Sequence, residues 1–227
     1  KGSRGTVTSE IGSYDTYAAG LTYEKVGDNG SAAISLSRVQ TKGFSAKKTG
    51  DGANEVDPYS GNHLRLSLDH MVNENLSFNL AALDSSEISD YDQYSPLTDK
   101  LDRDTQSVKV GLVVNFAGVS SEISITKGDL TRKYTGSTYD SDRQDIEYKG
   151  QTSVGGTDLI FGVASSKESM VSTWGDQGSD TEKAIFVDML RKISDSLDIS
   201  ATIRQTESDD FSSNTSYRIA GIYNLEN

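Results

Sequence analysis

Carboxylates are the residues of this chain whose types and spacing most readily do chemistry. From Asp90 to Thr105 the sequence reads DYDQYSPLTDKLDRDT, five aspartates in sixteen residues, and a second acidic stretch, TGDGANEVDPYSG, runs from Thr49 to Gly61. Clustered carboxylates repel one another, so a chain that keeps them together either solvates them fully or neutralises them with a cation. Calcium suits such a set, because it takes six to eight hard oxygens at about 2.3–2.6 Å from carboxylates, carbonyls and water. Asp51, Asn54, Glu55 and Asp57 offer oxygens in one stretch, and Asp90, Asp92, Asp99, Asp102 and Asp104 in the other. The EF-hand spacing, Asp-x-Asp-x-Asp-Gly followed by a Glu, is not present. An acidic loop kept soluble by its own charge accounts for the same residues without a fixed ion.

Other chemistry finds less support. The chain has no cysteine, which excludes disulfides, thiolate zinc sites and thiol catalysis. His63 and His70 are seven residues apart on a predicted strand, an odd spacing that sends them to opposite faces. No nucleophile elbow, P-loop or dinucleotide fingerprint occurs, and Gly155-Gly156 reads as a hairpin turn rather than a phosphate cradle. Catalysis has no positive signal, so a non-enzymatic role is expected. A net charge of −12 argues against a nucleic-acid partner, since phosphate binding needs concentrated Lys and Arg.

The elements that must carry these carboxylates are strands. In SVKVGLVVNF, Val108, Val110, Leu112, Val114 and Phe116 share one face, and Lys109, Gly111, Val113 and Asn115 the other, which is period two. The same alternation marks about twelve segments: 4–12, 16–27, 31–40, 61–73, 75–88, 105–117, 119–134, 143–154, 157–171, 181–193, 197–208 and 214–225. Short connections rich in Gly, Asn and Asp alternate with long polar ones at 41–60, 89–104, 135–142, 172–180 and 208–213. One end of the sheet is trimmed and the other elaborated, the asymmetry of outer-membrane barrels. No run approaches the roughly 18 apolar residues of a membrane helix, but a barrel strand needs only about 9–11 residues with every second one apolar. The expected fold is all-β, an antiparallel up-and-down transmembrane β-barrel, with residues 1–227 as one barrel domain of about twelve strands belonging to a larger barrel. Trp174, Tyr134, Tyr139 and Tyr148 fit an aromatic girdle at the membrane interface, the default, or contacts within the loops.

Three stretches carry a resemblance. KGSRGTVTSEIGSYDTYAAGLTYEKVG, residues 1–27, resembles the passage from plug domain to first barrel hairpin in TonB-dependent outer-membrane receptors. TKGF at 41–44 with TGDGANEVDPYSG, and then DYDQYSPLTDKLDRDT, are similar to successive long loops in the cobalamin-transporting branch of that family. The resemblance covers roughly residues 1–135. It implies a Gram-negative outer-membrane location, uptake of a bulky nutrient such as cobalamin, and energy delivered by TonB through a plug domain, which residues 1–227 are expected not to include. Outer-membrane lipid and lipopolysaccharide are the implied surroundings. Such receptors have about 22 strands, so the chain is expected to be the first half or so of a barrel. The resemblance also implies calcium as a cofactor, with Asp92 and Asp102 as ligands from the second loop and Asp51 and Asp57 from the first. Ser45 stands where the family has an aspartate after the Gly-aromatic pair Gly43-Phe44. Two alternatives stay open: a small passive porin-like barrel, and a soluble calcium-binding β-adhesin, which would lack a lipid-facing band.

Overall fold

The computed structural model describes residues 1–45, 56–92, 98–175 and 177–224. They form one sheet of twelve strands in sequence order: β1 (Gly2–Gly12), β2 (Thr16–Val26), β3 (Gly30–Thr41), β4 (Tyr59–Asn73), β5 (Leu76–Asp92), β6 (Thr98–Phe116), β7 (Val119–Tyr134), β8 (Ser137–Val154), β9 (Thr157–Ser172), β10 (Gln177–Ser194), β11 (Leu197–Ser208) and β12 (Asn214–Tyr223). Every neighbouring pair is antiparallel. The all-β up-and-down expectation therefore holds, strand for strand. Among the described residues β1 pairs with β2 alone and β12 with β11 alone, so the sheet has two free edges.

Several expected boundaries move, and β5 runs on to Asp92 rather than ending at 88. The stretch 135–142 was expected as a long connection, yet β8 begins at Ser137 and only Thr135 and Gly136 turn the chain, with Gly136 at φ +85°. Likewise β6 begins at Thr98 rather than 105, and β10 at Gln177 rather than 181. At these ends both faces of the strand are polar, so the apolar alternation that reveals a strand in sequence is missing although the hydrogen-bond ladder continues.

The sheet inverts the polarity of a soluble protein. Ala184 is the one apolar side chain buried among the described residues, whereas Val110 is 50% and Phe116 80% exposed. Register carries the apolar side from strand to strand. Leu64, Leu66 and Leu68 on β4 sit opposite Asp84, Ala82 and Leu80 on β5; Leu80 then faces Val110, Ile125 and Ile146 across β6, β7 and β8. The opposite side is polar and more enclosed, holding the buried Ser85, Gly111 and Ser124. With no apolar core to drive folding in water, a surface of this kind needs an apolar solvent on its outside.

That apolar band runs diagonally across the ladder. From Leu66, central in the band on β4, the register passes through Ala82, Val108, Lys127, Gln144 and Lys167 to Thr181, whose carbonyl accepts from the Asp209 amide. On β11 the band instead centres on Ala201, eight residues from Asp209 after seven strand steps. At about 3.3 Å per residue and about 4.8 Å per strand the strands tilt about 40° to the band, within the range for barrels. Val108 to Phe116, nine residues on β6, then span an apolar height of about 23 Å, against about 25 Å for membrane barrels.

The two ends of the sheet differ as expected. At one end the connections 27–29, 74–75, 117–118, 155–156 and 195–196 are two or three residues long. Ala117 (φ +50°) and Gly118 (φ +79°) form one such turn, of the type whose twist matches the flanking strands. At the other end lie 42–58, 93–97, 173–176 and 209–213, together with the two short turns after β1 and β7.

Two outcomes are expected. A spin label at Val110 should meet lipid-soluble oxygen far more often than one at Lys109, and equal access would refute a lipid-facing band. Ala117 sits in the left-handed region at a cost of about 1 kcal/mol, so Ala117→Gly should raise the unfolding midpoint in detergent, and a lowered midpoint would contradict the strain.

Candidate functional site

The clustered carboxylates of residues 90–105 do not stay in a loop. Asp90 lies in β5, and Asp102 and Asp104 in β6, with Asp90 opposite Lys100, Ile88 opposite Asp102 and Ser86 opposite Asp104. All three are on the apolar side of the sheet but beyond the band, because the even-numbered row of β6 changes at Gln106 from apolar to charged. Lys100 Nζ is 3.8 Å from Asp102 Oδ1. Asp92 ends β5 opposite Thr98, four residues along the ladder from the Ile88–Asp102 pair, or about 13 Å. Asp57 sits just before β4, and its carbonyl lies against Gly43, whose φ of +65° and lack of a side chain permit that approach. Asp51 lies outside the described residues. Among the described residues no three His, Cys, Asp or Glu side chains converge as a metal site. The described residues on their own thus do not assemble a calcium shell.

The ends of the 42–58 connection are nonetheless fixed. Lys42 N donates to Tyr14 O at 2.9 Å, Thr41 Oγ1 to the same carbonyl at 3.1 Å, and Gly43 N to Thr41 Oγ1 at 3.1 Å. The Phe44 ring packs on Tyr14 at 5.4 Å. Lys42 Nζ is 2.6 Å from Asp15, and this hydrogen bond holds the lysine pKa above its usual range.

On the polar side, at the same end of the sheet, three tyrosines meet. Tyr91 and Tyr134 pack edge to face at 6.3 Å, and Tyr134 and Tyr139 at 5.8 Å, both at 89°. With Arg132, Glu168 and Met170 they line a cavity of about 490 Å³, a size suited to a small-molecule ligand. Beside it, Arg143 reaches Glu168 at 3.6 Å and Asp145 at 3.0 Å. The edge-to-face rings leave both π-faces and phenols on the wall of this cavity. The girdle expected from sequence is corrected here: Tyr134 and Tyr139 point to the polar side, since odd residues of β7 such as Ile123 and Ile125 take the apolar one. Tyr148 does lie in the apolar band, 6.4 Å from Phe161, and Trp174 is an exposed residue of the β9–β10 connection.

The rest of the polar side is held by ion pairs rather than packing. Glu122 takes Lys149 at 2.9 Å and Lys109 at 3.5 Å, and Arg204 lies over the Phe186 ring while reaching Glu182 at 3.4 Å. His63 faces this side and His70 the other, as their spacing predicts. His63 Nδ1 is 2.9 Å from Ser85 Oγ, which donates to Glu87 at 3.0 Å. In a nucleophilic triad the hydroxyl would give its proton to the imidazole. Here it gives it to the carboxylate, so His63 Nδ1 donates to Ser85 and the group fixes side chains without activating one.

No family model matches the sequence, and no curated protein does either. Solved structures match by fold. The siderophore receptor PirA from Pseudomonas aeruginosa aligns over 99% of this chain and 40% of its own, with a TM-score of 0.75 and 12% identity. The copper transporter OprC aligns over 97% and 41%, at 0.71 and 10%. The alcaligin outer-membrane receptor FauA from Bordetella pertussis aligns over 98% and 41%, at 0.67 and 13%. The chain thus has the fold of outer-membrane receptor walls and spans about two fifths of the length of the structures it matches.

Proposed function

We propose that this chain is part of the barrel wall of a TonB-dependent receptor in the outer membrane of a Gram-negative bacterium, taking up a bulky nutrient. The observation that carries the reading is the inverted polarity: a tilted apolar band outside, an ion-paired face inside, and a tyrosine-lined cavity at the end with the longer connections. The exposed band disfavours a soluble adhesin, and the two free edges disfavour a small closed porin-like barrel. The chemistry is binding and gating, without a reaction step, and energy would come from TonB through a plug domain.

Cobalamin is the finer part of the proposal and rests on the resemblance of the 41–61 and 90–105 segments. The full-length protein carrying this chain should bind cyanocobalamin in detergent, and Tyr139→Ala should weaken that binding by about fivefold or more, the scale of one aromatic contact, without altering the fold. Binding of a ferric siderophore and no cobalamin would replace the ligand but keep the receptor. Recovery of the protein in the soluble fraction would sink the receptor itself.

Calcium ordering of the connections rests on the same resemblance, through Asp51, Asp57, Asp92 and Asp102. Isothermal titration of the full-length protein should give calcium heat, with Asp102→Ala lowering the affinity by about tenfold and Asp104→Ala changing little. Equal losses, or no heat, would leave these aspartates as a solvated acidic rim.

A further inference from the structure

From β7 to β10 the apolar side of the sheet is edged, toward the longer connections, by three lysines, with the Asp129–Asp142 pair one row further out. Lys127 on β7 is paired through Gln144 on β8 to Lys167 on β9, so the two lysines share one row two strands apart, about 10 Å. Lys167 faces Thr181 and Lys183 is two residues on, which makes Lys167 and Lys183 diagonal neighbours on one side of the sheet. None of the three forms an ion pair among the described residues. The single acid directly opposite Lys183 is Glu207.

Directly beneath them the band is grooved. Ile146, Tyr148, Val163 and Ile185 line a channel of about 600 Å³ whose upper rim is Lys183, Ser165 and Glu207. Phe161 lies across Gly150, where a side chain would collide with its ring, and this closes the lower end of the same surface. An apolar groove with Lys183 on its rim, and with Lys127 and Lys167 in the row above, matches an acyl chain below a phosphate. The charges sit at headgroup height because the row follows the 40° tilt: Lys127 and Lys167 lie one row above Ile125 and Ser165, and Lys183, one strand further on, one row lower.

We propose that Lys127, Lys167 and Lys183 bind the phosphate of a phosphorylated lipid in the leaflet at the longer-connection end, with an acyl chain of that lipid in the Ile146–Ile185 channel. This rests on the membrane reading above. The test is native mass spectrometry of the detergent-purified full-length protein with bisphosphorylated lipid A as the probe and phosphatidylcholine as the uncharged comparison.

Lipid A should be retained over phosphatidylcholine, and retention should fall about fivefold per lysine removed in Lys167→Gln and in the Lys167→Gln/Lys183→Gln pair. Lys25→Gln, a cation on the same side but at the other edge of the band on β2, should leave it unchanged. An equal loss with Lys25→Gln would reduce the effect to net charge and overturn the site. Retention that disappears with EDTA but ignores the lysines would transfer it to cation-bridged carboxylates and overturn it too. The oxygen-access comparison at Val110 and Lys109 separates the premises: lipid access at Val110 without lysine-dependent retention removes this site alone, whereas no lipid access at Val110 removes the membrane reading with it.

Discussion

Everything in this sheet depends on the hydrogen-bond register staying unbroken. A strand shows its two sides with a period of two, so one slipped residue would turn its apolar side chains inward and its charges outward. From β4 through β11, register irregularities fall only at Met71/Asn73 and Lys192/Ser194, each beside a two-residue turn at the short-connection end. Across the band itself the ladder is continuous. The same ladder satisfies the backbone groups that an apolar solvent could not.

Fixed register explains why so polar a sequence can present an apolar surface. Only alternate residues over about nine positions of each strand need be apolar, so a mean hydropathy of −0.52 coexists with a band that crosses the sheet. The other side, free of packing demands, is joined by charge: Glu122 between Lys109 and Lys149, Arg143 between Asp145 and Glu168. Such pairs contribute little each in contact with water. Their effect is to hold long side chains against the wall, leaving the tyrosine cavity open above them.

How much of this was legible follows from where the two sides contrast. Val108 to Phe116 announces itself because every second residue is apolar and its neighbours are not. Tyr134 to Asp142 does not, since Thr138, Asp140 and Asp142 on one side and Tyr139 and Ser141 on the other are all polar or amphipathic. The sequence therefore read a loop, and with the hairpin missed, the parity that turns Tyr134 and Tyr139 toward the same cavity was lost as well. The acidic stretch failed in the same manner. Asp90, Asp102 and Asp104 look like a loop's cluster in one dimension, but a ladder spreads them along two strands, with Asp90 opposite Lys100.

The free edges carry the same argument outward. Val7, Ile11, Tyr217 and Ile219 are among the most exposed apolar side chains, at 76–82%, and all four belong to β1 or β12. They lie on the band's side: Val7 pairs with Leu21, and Tyr217 with Ile203. Each edge thus offers both an unpaired row of amides and carbonyls and a band that stops in mid-surface. An even number of strands leaves β1 and β12 antiparallel, so direct pairing between them would be stereochemically allowed, yet the two stay apart. What the edges accept is then further antiparallel strand whose apolar residues keep the same parity and whose register keeps the same tilt. A strand violating either condition would break the band at the seam.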